Sequence, residues 1–242
     1  MKKYLYLLIF LSFTVNLLYA QKTNFIAGAD INYYQPVGTL SDRFEKTIGG
    51  AVYFGKEVSK NWAWVGKLEY FKFDKGNKDK LHVIQDVSVG NTTETFDIPL
   101  TNLNVELEVV GLTANAIYKL IDLEPFKTQL NFGFGVYRWF SPRGSYTSYF
   151  DQNTKNFYTD TTGVNGSFTK VINVPGISQV DWSGGFNIGV VFSYEVINNT
   201  SIYAGCDYKN ILGEIWQALS LNLESISSFQ MLDFRAGIKV EF

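Results

Sequence analysis

The residues that could do chemistry are few. His82, the lone histidine, sits in a polar stretch with Asp79 and Asp86 nearby. A histidine beside carboxylates is the start of a general acid–base site. A triad also needs a positioned nucleophile and base, and the sequence nominates neither, so no catalytic residue is assigned. Cys206 is the single cysteine, which excludes an internal disulfide framework. A metal site would need further ligands at suitable spacing, and none accompanies it, so no metal or cofactor is expected. The remaining charges recur at alternate positions: Asp30, Lys67, Glu69, Asp181, Glu195, Asp207, Lys209, Arg235, Lys239 and Glu241. Both signs are present, among many glycines. That is the chemistry of a satisfied polar filling, because buried charge is tolerated when paired and hydrogen-bonded.

Alternating segments must hold those charges in place. Eight carry the pattern: 24–34, 47–57, 61–73, 103–121, 127–139, 179–196, 201–209 and 232–242. Apolar residues fall at every second position, the period of a strand with two unlike faces. In 179–196, Val180, Trp182, Phe186, Ile188, Val190, Phe192 and Tyr194 share one face, and Asp181, Asn187 and Glu195 share the other. The last segment reaches the final residue, with Phe234, Ile238, Val240 and Phe242 in one phase. In the fourth segment the apolar phase changes at Val109-Val110. That change predicts a β-bulge near Gly111, or an early part that lies beyond the sheet.

The connections alternate long and short. The short ones are turn-like, as in "INNTS" and "DLEP". The long ones are uneven and rich in Ser, Thr, Asn and Gly. In 213–226, Ile215, Leu219, Leu223 and Ile226 have helical spacing. This predicts a short helix or cap, or else an extension of the last two strands. The stretch "NTKNFYTDTTGVNGSFTK" reads as a soluble loop that could also bind protein or glycan. No composition break divides the chain, so one domain is expected.

Alternation does not say which face points inward. A soluble barrel hides the apolar face, whereas a transmembrane barrel turns it to lipid and fills itself with polar groups. Four features favour the second. The polar face carries both charge signs with glycine, which suits the narrow interior of eight strands. Aromatic residues collect near strand ends, as at Tyr33, Trp62, Trp64, Tyr70, Trp182, Tyr194 and Tyr208. Connection lengths alternate in the outer-membrane manner. The chain ends on an aromatic residue in the lipid phase. The expected fold is all-β: an eight-stranded antiparallel transmembrane β-barrel with long extracellular loops and short periplasmic turns.

The start of the chain supplies a compartment. Lys2 and Lys3 precede an apolar stretch that closes on Leu18-Tyr19-Ala20, the layout of a cleaved secretory signal peptide at 1–20. The barrel domain is then 21–242. Loss of Lys2 and Lys3 leaves 19 of 21 basic residues against 23 acidic ones, so the formal charge moves from −2 to −4. That balance gives no reason to expect nucleic acid as a partner.

"QVDWSGGFNIGVVFSYEV", "FKTQLNFGFGVYRWF" and the terminal "FRAGIKVEF" resemble the small outer-membrane β-barrels of Bacteroidetes-type bacteria, often labelled PorT-like, on a plan similar to OmpA and OmpX. The resemblance implies that Phe234, Ile238, Val240 and Phe242 form the signal read by the barrel assembly machinery. It also implies an "EIPL"-like opening of the fourth strand. Here the nearest match, Asp97-Ile98-Pro99-Leu100, lies upstream of the best strand. The expected role is non-enzymatic: structural, or loop-mediated interaction in the envelope, including a secretion-associated accessory barrel. A narrow pore and a lipid-modifying enzyme using His82 are the alternatives. Expected partners are outer-membrane lipids, the assembly machinery and a protein or glycan at the loops. The expected location is the outer membrane of a Gram-negative bacterium, with both termini in the periplasm.

Overall fold

The computed structural model describes residues 25–90, 92–100 and 102–242. The expected signal peptide, 1–20, lies outside them. The described strands are β1 (Phe25–Pro36), β2 (Thr47–Glu57), β3 (Trp62–Phe73), β4 (His82–Val89), β5 (Thr92–Pro99), β6 (Leu107–Leu123), β7 (Phe126–Arg143), β8 (Tyr146–Asp151), β9 (Asn156–Tyr158), β10 (Phe168–Val174), β11 (Ile177–Ile197), β12 (Thr200–Ile211) and β13 (Phe229–Glu241). Eight of them close into an antiparallel barrel in the order β1-β13-β12-β11-β7-β6-β3-β2. Each wall strand pairs with its neighbours along the chain. The first and last then meet, from Ile26↔Glu241 to Pro36↔Met231. Closure gives every wall strand a neighbour on both sides, and the outer end of β11 runs on past β12 beyond Gly185↔Ile211. Phe242 extends the seam by one residue. Its carbonyl accepts from the Phe25 N–H at 2.6 Å, and its own N–H donates back at 2.9 Å.

The wall is apolar outside and polar inside. Ile31 (69% exposed), Phe134 (63%), Trp182 (66%) and Ile238 (55%) belong to an outward band that encircles the barrel. It far exceeds the few hundred Å² of contiguous apolar surface that a soluble monomer shows. Aromatic residues cluster at the short-turn end of this band. Trp62 lies 4.9 Å from Tyr118 and Phe126 lies 5.0 Å from Tyr194, between ring centres. Phe25 packs on Phe54 at 5.7 Å and on Phe242 at 6.2 Å across the seam. No helix among the described residues is long and apolar enough to cross a membrane.

Three expectations are corrected. First, β6 has no bulge at Val109-Val110. Its pairing with β3 is continuous from Phe73↔Leu107 to Trp62↔Tyr118, and the irregularity lies at Lys119/Ile121 against β7. Leu107, Val109, Gly111, Thr113 and Asn115 all point inward. What changes along the strand is the content of the interior, apolar near one mouth and polar below it. Second, of the two readings of 213–226 the α-helix is absent and the extension of the last two strands is present. It is an irregular hairpin continuing β12 and β13, with bridges Ile215↔Ile226 and Ala218↔Leu223 and a single 3-10 turn at Leu219–Leu221. Third, the long connections are folded. The second holds the hairpin β4–β5, and the third holds a sheet in the order β10-β8-β9. Ile98 and Leu100 of the "DIPL" stretch are buried in this head, and the fourth wall strand begins at Leu107.

Candidate functional site

The barrel interior is stacked in layers. Near the short turns, three ion pairs ring the opening: Lys119 with Glu57, Lys127 with Glu195 at 3.6 Å and Lys239 with Glu241 at 2.8 Å. Above them lies a cavity of about 40 Å³ lined by Tyr53, Asn115, Gln129, Asn131, Tyr203 and Arg235, among others. At a share of about 30 Å³ per water, it has room for roughly one or two.

The middle layer is charged. Asp30, Glu69, Asp207 and Asp233 face Lys67, Lys209 and Arg235, all on the lumen side. Asp207 and Asp233 stand directly opposite in the β12–β13 register, an unfavourable pairing on its own. Arg235 offsets it by bonding Asp207 at 3.1 Å, and Lys209 by lying 3.4 Å from Asp233. Amide side chains fill the remaining acceptor positions. Asn32 Nδ2 donates to Asp233 at 2.8 Å, and Asn131 Nδ2 donates to Asp207 at 3.1 Å. Lys209 also bonds Glu69. These two residues come from β12 and β3, four places apart in the ring of eight. Their link therefore crosses the lumen.

Three inward tyrosines are seated over glycines directly opposite on the neighbouring strand: Tyr53 over Gly28, Tyr137 over Gly111 and Tyr203 over Gly237. An aromatic ring laid over a glycine fills the space left by the missing side chain. Gly111 is thus explained by Tyr137, whose ring atoms would lie 2.6 Å from an added Cβ. Tyr53 and Tyr203 approach each other across the interior at 6.2 Å between ring centres.

The upper layer is apolar. Phe71, Phe73, Leu107, Val109, Tyr137, Trp139, Phe229 and Met231 of the wall form one cluster with residues from all four long connections, such as Leu40, Phe44, Leu81, Ile98, Tyr146, Leu221 and Ile226. Complete burial of a phenylalanine contributes about 1.5–3 kcal/mol, so this mouth is a core in its own right. Trp139 packs edge-on against Phe229 at 5.3 Å, and its indole N–H donates to Ser183 at 2.9 Å. Farther out, Phe96, Phe150 and Phe157 form a triad with ring centres 5.1–5.3 Å apart. It joins the second connection to the third, together with Lys155–Glu94 at 2.8 Å.

The sequence-predicted residues sort as follows. Asp30, Lys67, Glu69, Asp207, Lys209 and Arg235 come together in the charged layer. Lys239, Glu241 and Glu195 sit in the lower ring. Asp181 is the exception. It has the inward phase but lies at the long-loop end of β11, above the filled polar lumen. Its carboxylate is exposed and accepts the Trp182 N–H at 2.7 Å. Asp233, wholly buried, belongs in the layer and was legible on the polar face. Phe234, Ile238, Val240 and Phe242 all point outward. Cys206 is a free thiol in that same outward phase. His82 pairs with neither Asp79 nor Asp86. Its Nδ1 lies 3.2 Å from Asp97 Oδ1 on the outer surface of β4–β5, while Asp86 accepts from the Thr95 hydroxyl at 2.7 Å. Among the described residues no cluster of His, Cys, Asp and Glu could hold a metal ion.

No protein-family model and no curated protein matches the chain. It is similar to several solved structures. Neisserial surface protein A is 16% identical, over 90% of this chain and 97% of that one, with a TM-score of 0.47. A major outer membrane protein from Thermus thermophilus is 13% identical, over 92% and 100%, with a TM-score of 0.49. OprG from Pseudomonas aeruginosa is 11% identical, over 90% and 95%, with a TM-score of 0.45.

Proposed function

We propose that this chain is an integral outer-membrane barrel that acts through its folded head and not through a channel. The encircling apolar band supports the membrane placement. A tilted strand needs about 9–11 residues to cross, and the wall strands run from 11 residues in β2 to 21 in β11. On the outer-membrane plan the long connections are extracellular, and both termini are periplasmic. The observation that carries the non-channel reading is the Lys209–Glu69 link across the lumen, closed above by the apolar mouth and flanked below by Tyr53 and Tyr203. An ion would have to break that pair and then pass an apolar core.

The role is accordingly non-enzymatic. It is structural, or a contact with protein or glycan made by the head, of the accessory kind that a PorT-like barrel of Bacteroidetes-type bacteria would provide. Lipid surrounds the band, and the barrel assembly machinery reads the terminal strand. Recording from the full-length protein in planar bilayers tests the reading. No stable unit conductance is expected, and discrete, reproducible steps would favour a narrow pore instead. Heat-modifiable gel mobility and a requirement for detergent test the membrane placement separately.

A further inference from the structure

The head contains a second charged place that the barrel's ion pairs do not use. Arg43 follows the first 3-10 turn and is buried, at 6% exposure. Arg143 ends β7. Both line a partly open cavity of about 80 Å³ with Ser141, Gln179, Trp216 and Gln217. No aspartate or glutamate lines it. Among the described residues, neither guanidinium has a carboxylate within ion-pair distance. Each is held only by a carbonyl: Arg43 donates to Glu224 O at 2.6 Å, and Arg143 donates to Pro175 O at 3.0 Å. The Nε of Arg143 is buried and makes no hydrogen bond. Burial, with the repulsion of the Arg143 guanidinium, lowers Arg43 to about 10, which leaves it charged at neutral pH.

Two cations facing one partly buried space are costly without an opposite charge, because a charge left unpaired on burial is strongly destabilising. The other buried cations among the described residues are matched by carboxylates, so this unmatched pair stands apart. We infer that the cavity between the first and fourth long connections and the outer ends of β7 and β11 is an oxyanion site, with Arg43 and Arg143 gripping a phosphate- or sulfate-type group. The guanidinium fork presents parallel N–H donors that suit a tetrahedral oxyanion. The free Arg143 Nε supplies a donor and the Gln217 amide is at hand, whereas the Ser141 hydroxyl already donates to the Glu106 carbonyl at 2.9 Å. At a share of about 30 Å³ per water, the space holds roughly two or three waters or one such group. The group could arrive as a free ion or as the headgroup of a phosphorylated lipid at the outer surface.

Isothermal titration of the detergent-solubilised full-length protein with inorganic phosphate, and in a second arm with micelles of a single-chain phosphorylated lipid, tests this. Saturable phosphate binding that weakens at least tenfold in Arg143→Gln supports a free oxyanion. Binding of the lipid alone, with the same loss, assigns the headgroup. Lys46→Met, a cation outside the cavity, is expected to leave either affinity unchanged. Absence of saturable binding in both arms, or equal affinity in Arg143→Gln, overturns the site. Arg43→Gln also removes the contact to Glu224, so Arg143→Gln is the deciding variant.

Discussion

Replacing Lys209 by methionine probes the charged layer most sharply. Lys209 is 2% exposed and touches two carboxylates on different strands, Glu69 and Asp233. At the 3.4 Å separation from Asp233, an effective dielectric of about 20 gives roughly 5 kcal/mol of attraction. Desolvation of the ammonium offsets much of that in the native protein. In the variant the offset disappears while the carboxylates stay buried. Four carboxylates would then face two cations, so the expected loss is about 3–5 kcal/mol. Adding Glu69→Gln removes one of the stranded charges, and the double variant should recover at least about 1 kcal/mol relative to Lys209→Met, a coupling typical of residues in one network. The assay is urea-dependent unfolding from lipid vesicles, read by gel mobility and tryptophan fluorescence. The reasoning fails if Lys209→Met costs less than about 1 kcal/mol, or if the two substitutions add within about 0.5 kcal/mol.

Deleting Phe242 should slow or block assembly more than replacing any loop residue, because it removes both the seam hydrogen bonds to Phe25 and the ring packed on Phe25 and Phe54; the folded fraction after expression or refolding measures it. Gly111→Ala should destabilise the barrel by about 1–3 kcal/mol through overpacking, since the new methyl meets the Tyr137 ring. Pairing it with Tyr137→Leu should relieve part of that cost in the same unfolding assay. In the head, the N–H of Asn153 holds the Asp151 carboxylate below its usual range, with the Thr154 hydroxyl and the Ser167 N–H helping. A depressed folded pKa means that this contribution is full above the unfolded value near 4 and is lost as pH falls through the folded one. Hydrogen-exchange protection factors at 151–167, taken against the unstructured rate at each pH, should therefore fall on acidification below about pH 4, and Asp151→Asn should already lower them at pH 7.

The eight wall strands were legible because the environment imposes a period of two on both faces at once. Lipid demands an apolar exterior, and a narrow lumen demands small or paired polar residues. Where only one demand holds, the pattern blurs. At Leu107 and Val109 the interior is apolar and the outward neighbours are Glu106 and Glu108, so the apolar phase inverts and reads as a slip although the backbone runs straight. The same ambiguity hid the head. Ile215, Leu223 and Ile226 have helical spacing, yet they are buried by a hairpin that folds onto the mouth. Asp181 failed for a different reason. Phase gives the direction of a side chain but not its neighbours: β12 pairs with β11 only as far as Gly185↔Ile211, so Asp181 has no strand beside it on that side, although Gln179 and Ser183 in the same phase are buried. Arg43 and Arg143 carried no local signal at all, because 100 residues of chain separate two groups that meet only through the head's packing.

The apolar mouth also partitions the outer surface by its tolerance to foreign sequence. All four long connections give side chains to that core, so each is anchored to the wall and has little freedom to drift in length. The segment 160–165, beyond Phe157 and Lys155, is an exception. It is mostly exposed, and at Gly163, with φ of +75°, an added side chain would meet nothing. A peptide inserted there would ride clear of the barrel, as a display scaffold requires. The same peptide at 219–222 would lift Leu221 and Leu223 out of the core and unseat the lid.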